Sequence, residues 1–174
     1  MKTKSFFLLL CFSVINLLTS CQSGSQSSED IIAEVQKLGE ANKVEETLPM
    51  LEKLLQHDSN NADAQYYYGT NLCRTGKLND GIVHLSKAIE LNPDYGKAYG
   101  NRGLAYYKTG EQKKALEDFN KAVVFDPENG IHYYNRGLLL NETEQLEAAC
   151  ADWKKAMELG YQDKNDLYEL NCVK

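Results

Sequence analysis

The chain matches itself at an offset of 34 residues, and that period restricts it to a row of similar local units stacked in sequence order. Identical columns are Gly69, Gly103 and Gly137; Thr75, Thr109 and Thr143; Lys87, Lys121 and Lys155; and Ala88, Ala122 and Ala156. Conservative columns run beside them: Leu72, Tyr106 and Leu140; Gly81, Ala115 and Ala149; Leu85, Phe119 and Trp153; Ile89, Val123 and Met157; Leu91, Phe125 and Leu159. Within each unit the apolar residues recur at helical spacing. Gly76 and Gly110 divide two of the units into halves and suit a left-handed stop to a first helix. Asn92-Pro93 and Asp126-Pro127 end a second helix, because the residue before proline is pushed away from the helical region. Each unit is therefore a helix hairpin. The small residues Gly69 and Gly81 let its two helices approach closely, and Ala88 repeats the device. A single hairpin leaves one apolar side open, so the neighbours must bury it.

These residues resemble the tetratricopeptide repeat family. The stretch Ala98-Tyr99-Gly100-Asn101-Arg102-Gly103-Leu104-Ala105-Tyr106-Tyr107 is similar to the family's first helix, and Gly110, Ala115, Phe119, Ala122 and Pro127 fall on its remaining signature positions. The resemblance implies an all-α fold, a right-handed α-solenoid of stacked helix hairpins, with repeats at 62–95, 96–129 and 130–163. The third departs from the pattern: Glu144 stands where the dividing Gly belongs, and Gly160-Tyr161 replaces the terminal proline. A degenerate repeat is expected at 29–61, where Val35, Leu38, Leu51 and Leu54 keep the apolar face without the Gly and Ala signatures. Pro49 falls inside its second helix unless that helix begins near Leu48. Residues 164–174 are expected to form the cap, a short helix with Leu167 and Leu170 turned inward over the last repeat.

Residues 1–20 read as a secretory leader: Lys2 and Lys4 precede an apolar stretch from Phe6 to Leu18, too short to span a bilayer. Leu18-Thr19-Ser20-Cys21 resembles a bacterial lipobox, which implies lipidation at Cys21 and cleavage before it. Residues 21–28 then form the lipidated cysteine and a Ser/Gln/Gly tether. Two acyl chains give stable anchoring without a spanning helix. The expected location is the bacterial envelope, on the outer membrane facing the periplasm. Whole, the chain carries a net charge of −6; without Lys2 and Lys4 it has 17 basic against 25 acidic side chains, a balance of −8. So acidic a protein is unsuited to nucleic acid, whose recognition needs a basic surface.

Of the five cysteines, Cys11 falls in the leader and Cys21 at the lipobox, leaving Cys73, Cys150 and Cys172. A Cys150–Cys172 disulfide would tie the cap to the last repeat; the alternative is two buried thiols. Cys73 has no evident partner. His57, His84 and His132 are scattered singly, so no metal site is expected. Asn141-Glu142-Thr143 matches a glycosylation sequon, discounted in a bacterial lipoprotein.

No nucleophile–base pair or phosphate-cradling loop is visible, and neither enzyme activity nor a cofactor is expected. Glu111, Glu117 and Asp118 read as solvent-facing carboxylates. The family resemblance instead implies a concave groove lined by the first helix of each repeat and suited to a protein or peptide partner. The groove positions are Tyr66, Thr70 and Arg74; Lys97, Asn101, Leu104 and Lys108; and Tyr134, Asn135, Leu138 and Asn141. Arg102 and Arg136 are expected to pack their stems between repeats with their heads left to bond. Some family members grip carboxylate termini with Lys and Asn; here Asn101 and Asn135 match part of that pattern, but Ile131 stands where a Lys is expected. Two rival readings are a self-associating structural subunit and a lipoprotein that binds a small ligand or glycan.

Overall fold

The computed structural model describes residues 26–162 and 165–173. The leader, Cys21 and most of the tether lie outside the described residues. Nine helices follow one another among those described: α1 (Ser28–Glu40), α2 (Val44–His57), α3 (Ala62–Arg74), α4 (Leu78–Leu91), α5 (Gly96–Lys108), α6 (Gln112–Phe125), α7 (Gly130–Glu142), α8 (Leu146–Glu158) and α9 (Leu167–Cys172). They pack as successive hairpins, α1/α2 through α7/α8, each resting on the next, with α9 against α8. The first helices of adjacent hairpins also touch one another, α1 to α3 to α5 to α7, whereas the second helices do not. That asymmetry puts the first helices on the inner side of a curved solenoid.

Close approach inside the three hairpins from α3 to α8 follows from two matched columns. A Cβ added to Gly69 would sit 2.9 Å from Leu85 Cγ; on Gly103, 2.9 Å from Phe119 Cδ1; on Gly137, 2.6 Å from Trp153 Nε1. The small residue of the first helix is thus the socket for the large residue of the second. Leu85, Phe119 and Trp153 are all completely buried. Around them lies a chain of apolar clusters, from Val35, Leu51, Leu54 and Ala64 at one end to Tyr134, Leu140, Ala149, Trp153 and Ala156 at the other.

The first helix of every hairpin stops at a left-handed residue, again at the 34-residue period: Asn42 (φ 58°), Gly76 (86°), Gly110 (83°) and Glu144 (61°). Glu144 therefore takes the same conformation as the glycines it replaces. The Thr column precedes this stop. Thr75 Oγ1 donates to the carbonyls of Asn71 and Leu72, Thr143 Oγ1 to those of Leu139 and Leu140, and Thr109 Oγ1 to that of Tyr106. Each of these carbonyls also accepts a backbone N–H at the helix end, so the hydroxyl adds a second donor to it.

The alternative at Pro49 is decided, and two expectations need correction. Helix α2 begins at Val44, so Pro49 is inside it. Val44 and Thr47 are buried, and Thr47 Oγ1 accepts from the Asn71 amide at 2.7 Å, which draws the helix start upstream of Leu48. The amide hydrogen that Pro49 lacks would have met the Glu45 carbonyl, on an exposed residue where water can take its place. Leu170 does not turn inward: it is 75% exposed, while Leu167, Tyr168 and Cys172 make the cap's apolar contact. Asp118 does not face solvent. Only 4% exposed, it receives Arg102 in a two-pronged ion pair, Nε to Oδ2 at 2.8 Å and Nη2 to Oδ1 at 2.9 Å.

The head of Arg102 is accordingly committed, and so is that of Arg136, which meets Asp152 at 2.7 Å through both prongs. The third nitrogen of each guanidinium reaches back one hairpin, from Arg102 to Ser86 Oγ at 2.9 Å and from Arg136 to Asn120 Oδ1 at 3.0 Å. One side chain thus joins three helices. In the hairpin before, the equivalent pair is Tyr68 and His84, whose rings meet edge to face with centroids 4.6 Å apart. At the C-terminal end, Cys150 and Cys172 form a disulfide with Cα atoms 5.7 Å apart, tying α9 to α8.

Glu144→Gly removes the left-handed strain and should raise unfolding free energy by up to about 1 kcal/mol, read from the urea midpoint at constant m-value. Arg102→Met strands a buried carboxylate and should cost about 3–5 kcal/mol in the same measurement; adding Asp118→Leu should recover most of that loss.

Candidate functional site

The inner face is built from side chains that α1, α3, α5 and α7 turn away from the hairpin cores. Residues 70, 73 and 74 of α3 and 101, 104, 105 and 108 of α5 share one side of their helices, because positions three and four apart lie on the same face. Between these two helices opens a pocket lined by Thr70, Cys73, Arg74, Leu78, Asn101, Leu104, Ala105 and Lys108. Its floor is polar at one point. The Asn101 amide donates to Thr70 Oγ1 at 2.9 Å and to the Tyr66 hydroxyl at 3.3 Å.

Other bonds brace the same face from repeat to repeat. Gln36 donates to the Tyr67 hydroxyl, Arg74 to Asn42 Oδ1 at 3.2 Å, Tyr95 to Asp63 Oδ1 at 2.6 Å, and Tyr107 to Glu142. Burial pushes the Tyr66 phenol up to about 12, with its neighbour Tyr67 adding to the effect and the bonds to Thr70 and Asn101 opposing it. The bond to Glu142, then burial, raises Tyr107 to about 12 as well. Both hydroxyls therefore stay neutral and able to donate across the physiological range. Burial likewise pushes the Cys73 thiol up, and Lys108 pulls it partway back. Cys73 is half-buried and is the free cysteine among the described residues.

Of the eleven expected groove residues, Thr70, Arg74, Asn101, Leu104 and Lys108 converge on the pocket, and Tyr66 supports it from below through Asn101. Lys97 and Asn141 are exposed and Asn135 half-buried, none of them lining it. Leu138 packs toward the C-terminal apolar cluster. Tyr134 is a correction. It is 6% exposed, tilted against the Tyr161 ring with centroids 4.5 Å apart, and its hydroxyl accepts from Asn165 at 3.0 Å. Tyr161 and Asn165, both beyond α8, meet this side chain, so Tyr134 serves the end of the solenoid rather than a binding face. Cys73, Leu78 and Ala105 were missed, although Cys73 and Ala105 stand at helical spacing from Thr70 and Asn101.

The histidines do not gather. His57 is exposed, His84 Nδ1 meets Gln65 Oε1 at 2.7 Å, and buried His132 pairs through Nε2 with Asp126 at 3.0 Å. Among the described residues no cluster of three or more His, Cys, Asp or Glu could hold a metal ion, and no helix is long and apolar enough to cross a membrane.

A family model described as a tetratricopeptide repeat matches residues 96–129, and one described as a TPR repeat matches residues 69–110. Among solved structures, a crystal structure of MamA is similar at 26% identity and a TM-score of 0.67, covering 78% of this chain and 79% of that one. Another, of MamA protein, is 27% identical with a TM-score of 0.65 and covers 84% and 79%. A "41-end" form of MamA from Desulfovibrio magneticus RS-1 shares the fold at 23% identity, with a TM-score of 0.66 and coverage of 78% and 77%. No curated protein is similar enough to match the chain.

Proposed function

We propose that this chain, a tetratricopeptide-repeat protein, is a lipid-anchored adaptor that holds protein partners at the bacterial cell envelope. The observation that carries the reading is the pocket between α3 and α5. It opens on the inner side of the solenoid and presents Arg74, Lys108, Asn101 and Thr70, none of which is needed to close an apolar core. A scaffold that binds other proteins is what the repeat architecture supports. The rest of the inner face is braced by side-chain bonds between adjacent first helices, so it meets a partner already ordered and the cost of ordering it on binding is small.

The anchor is read from residues 18–21, which lie outside the described part. Lipidation of Cys21 would hold the solenoid at a membrane surface by its first mature residue, with the short polar segment up to Ser27 as the tether. An outer-membrane position facing the periplasm fits an exported chain with a disulfide at its C-terminal end. The chemistry visible in the described residues is that of recognition. Buried acidic groups such as Asp118 and Asp152 are consumed by structural arginines, leaving them unable to act as acid–base pairs.

Two experiments test the two halves separately. Cys21→Ala should move the protein from the membrane fraction to the soluble fraction or leave an unprocessed precursor, read by fractionation and intact mass; unchanged retention and mass would refute the anchor. A photo-crosslinking residue at position 101 should capture discrete envelope proteins in intact cells, and the same residue at exposed position 113 on α6 should not. Equal capture at both positions would refute the groove.

A further inference from the structure

Two joints between first helices each set a large side chain against a small one, but the chemistry of the large one differs. Where α3 meets α5, Tyr66 of the earlier helix packs against the buried cluster that holds Ala98 of the later one. One period on, at 100 and 132, the sizes are exchanged: Gly100 is the small residue and His132 the large one. A Cβ added to Gly100 would collide with Cε1 and Nδ1 of the imidazole, so the ring fills the room the glycine leaves. The Tyr66 phenol, pushed up to about 12, stays neutral across the physiological range, whereas an imidazole ordinarily titrates within it. The exchange sets a titratable ring inside a packed joint.

His132 is 3% exposed. Its Nε2 meets Asp126 Oδ2 at 3.0 Å, an oxygen that also accepts from the Asn129 amide at 3.0 Å. A carboxylate only accepts, so Nε2 carries the proton of the neutral ring. Nδ1 is then a bare acceptor, buried against Gly100 with no partner among the described residues. A second proton has only Nδ1 to go to, and the N–H it makes would point at backbone with nothing to accept it. The charged groups that act on the ring are Asp126, in the turn after α6, and Lys97, on α5. On α7 itself, Arg136 is committed to Asp152, and on α3 Tyr66 feels the same Asp126 charge and stays neutral. Burial pushes the imidazole below its ordinary value; Asp126 opposes the effect and Lys97 adds to it.

We propose that this joint is a proton-operated hinge: it is closed while the imidazole is neutral and opens when His132 takes up a proton in mild acid, freeing the α7/α8 hairpin to turn against the rest of the inner face. Helices α6 and α7 pack less extensively than α2 with α3 or α4 with α5, so this joint has the least to hold it once the ring is charged. The folded chain keeps the ring neutral more firmly than the unfolded chain does. Stability is therefore complete above the ordinary histidine range and is lost as pH falls through about 6.5. The inner face runs across the joint and changes with it, whichever partner it takes.

The test compares the full chain in detergent with His132→Gln, His132→Phe and His84→Gln. Amide hydrogen exchange is read by peptide mass spectrometry and corrected for the pH dependence of the intrinsic rate. In the unaltered chain and in His84→Gln, protection of the first two turns of α7 should fall about three- to tenfold relative to α3 between about pH 7.5 and about pH 5.5. In His132→Gln and His132→Phe that ratio should stay constant. Gln keeps an amide donor for Asp126 and Phe keeps a ring in the socket, so one folded variant of the two suffices. An imidazole with a packing role alone would lower protection at every pH when replaced and leave the pH profile unmoved. Nitrogen NMR of the neutral ring should find its proton on Nε2. A proton on Nδ1 overturns the proposal, as does a flat ratio in the unaltered chain or the same pH profile in a folded His132 variant. A loss centred on α3 and α4 and abolished by His84→Gln overturns it too, in favour of the other half-buried imidazole.

Discussion

The structure depends on contact between a glycine and a large side chain inside each of the three hairpins from α3 to α8. Gly69, Gly103 and Gly137 have no room for a Cβ because Leu85, Phe119 and Trp153 occupy the space it would need. This contact lets the paired helices come close, and close pairing sets the shape of the surface that the next hairpin meets. Interiors at crystal-like density do not adjust smoothly to an added methyl, so the fit is all or nothing at each level of the stack. The three levels use three different large residues against the same socket. The aromatic content of the core rises toward the C-terminal end, where Trp153 and Tyr134 lie under the cap.

Apolar fit holds each hairpin together, while polar staples fix how neighbouring hairpins are oriented. Arg102 and Arg136 each satisfy a buried aspartate in their own hairpin and spend their third nitrogen on the hairpin before. Buried ion pairs of this kind contribute little net stability against an apolar replacement, but breaking one leaves a charge with no solvent. Their effect is directional: a planar guanidinium donates to two carboxylate oxygens and a third partner in one geometry only. The inner face inherits that order. Its hydrogen bonds run between first helices of adjacent hairpins, and the pocket between α3 and α5 is walled by two helices whose relative position is already set. Arg74 differs from Arg102 and Arg136 in meeting no carboxylate; its guanidinium donates to the Asn42 amide oxygen.

Much of the architecture was legible from column spacing. Helix boundaries at 62–74, 78–91, 96–108 and 112–125 follow from Gly, Thr and Pro positions that act locally, through φ angles, carbonyl capping and steric exclusion. Glu144 in a left-handed turn was foreseeable for the same reason, since the 34-residue register leaves its backbone no other role. The misreadings share a different cause. Asp118 and Glu117 are neighbours of the same class, yet one is buried and the other exposed. The signal that could have separated them was the recurrence of Arg102/Asp118 at Arg136/Asp152, sixteen residues apart in each case. Tyr134 was taken from its register as a groove residue because the groove pattern assumes another hairpin beyond it. The last hairpin has a cap there, and Tyr161 closes over the ring.

By itself the sequence determined the repeat and the hairpin, because each is a consequence of short-range stereochemistry copied at a constant period; the inner place of the first helices was an expectation carried by the family resemblance. Only the tertiary structure decided which polar side chains are spent on the fold and which are left over. That outcome depends on partners 16 to 35 residues away, reached across a packed interface, and no local preference encodes it. The same arginine type becomes a staple at 102 and a pocket wall at 74 because the facing helix offers an aspartate in one place and an asparagine turn in the other.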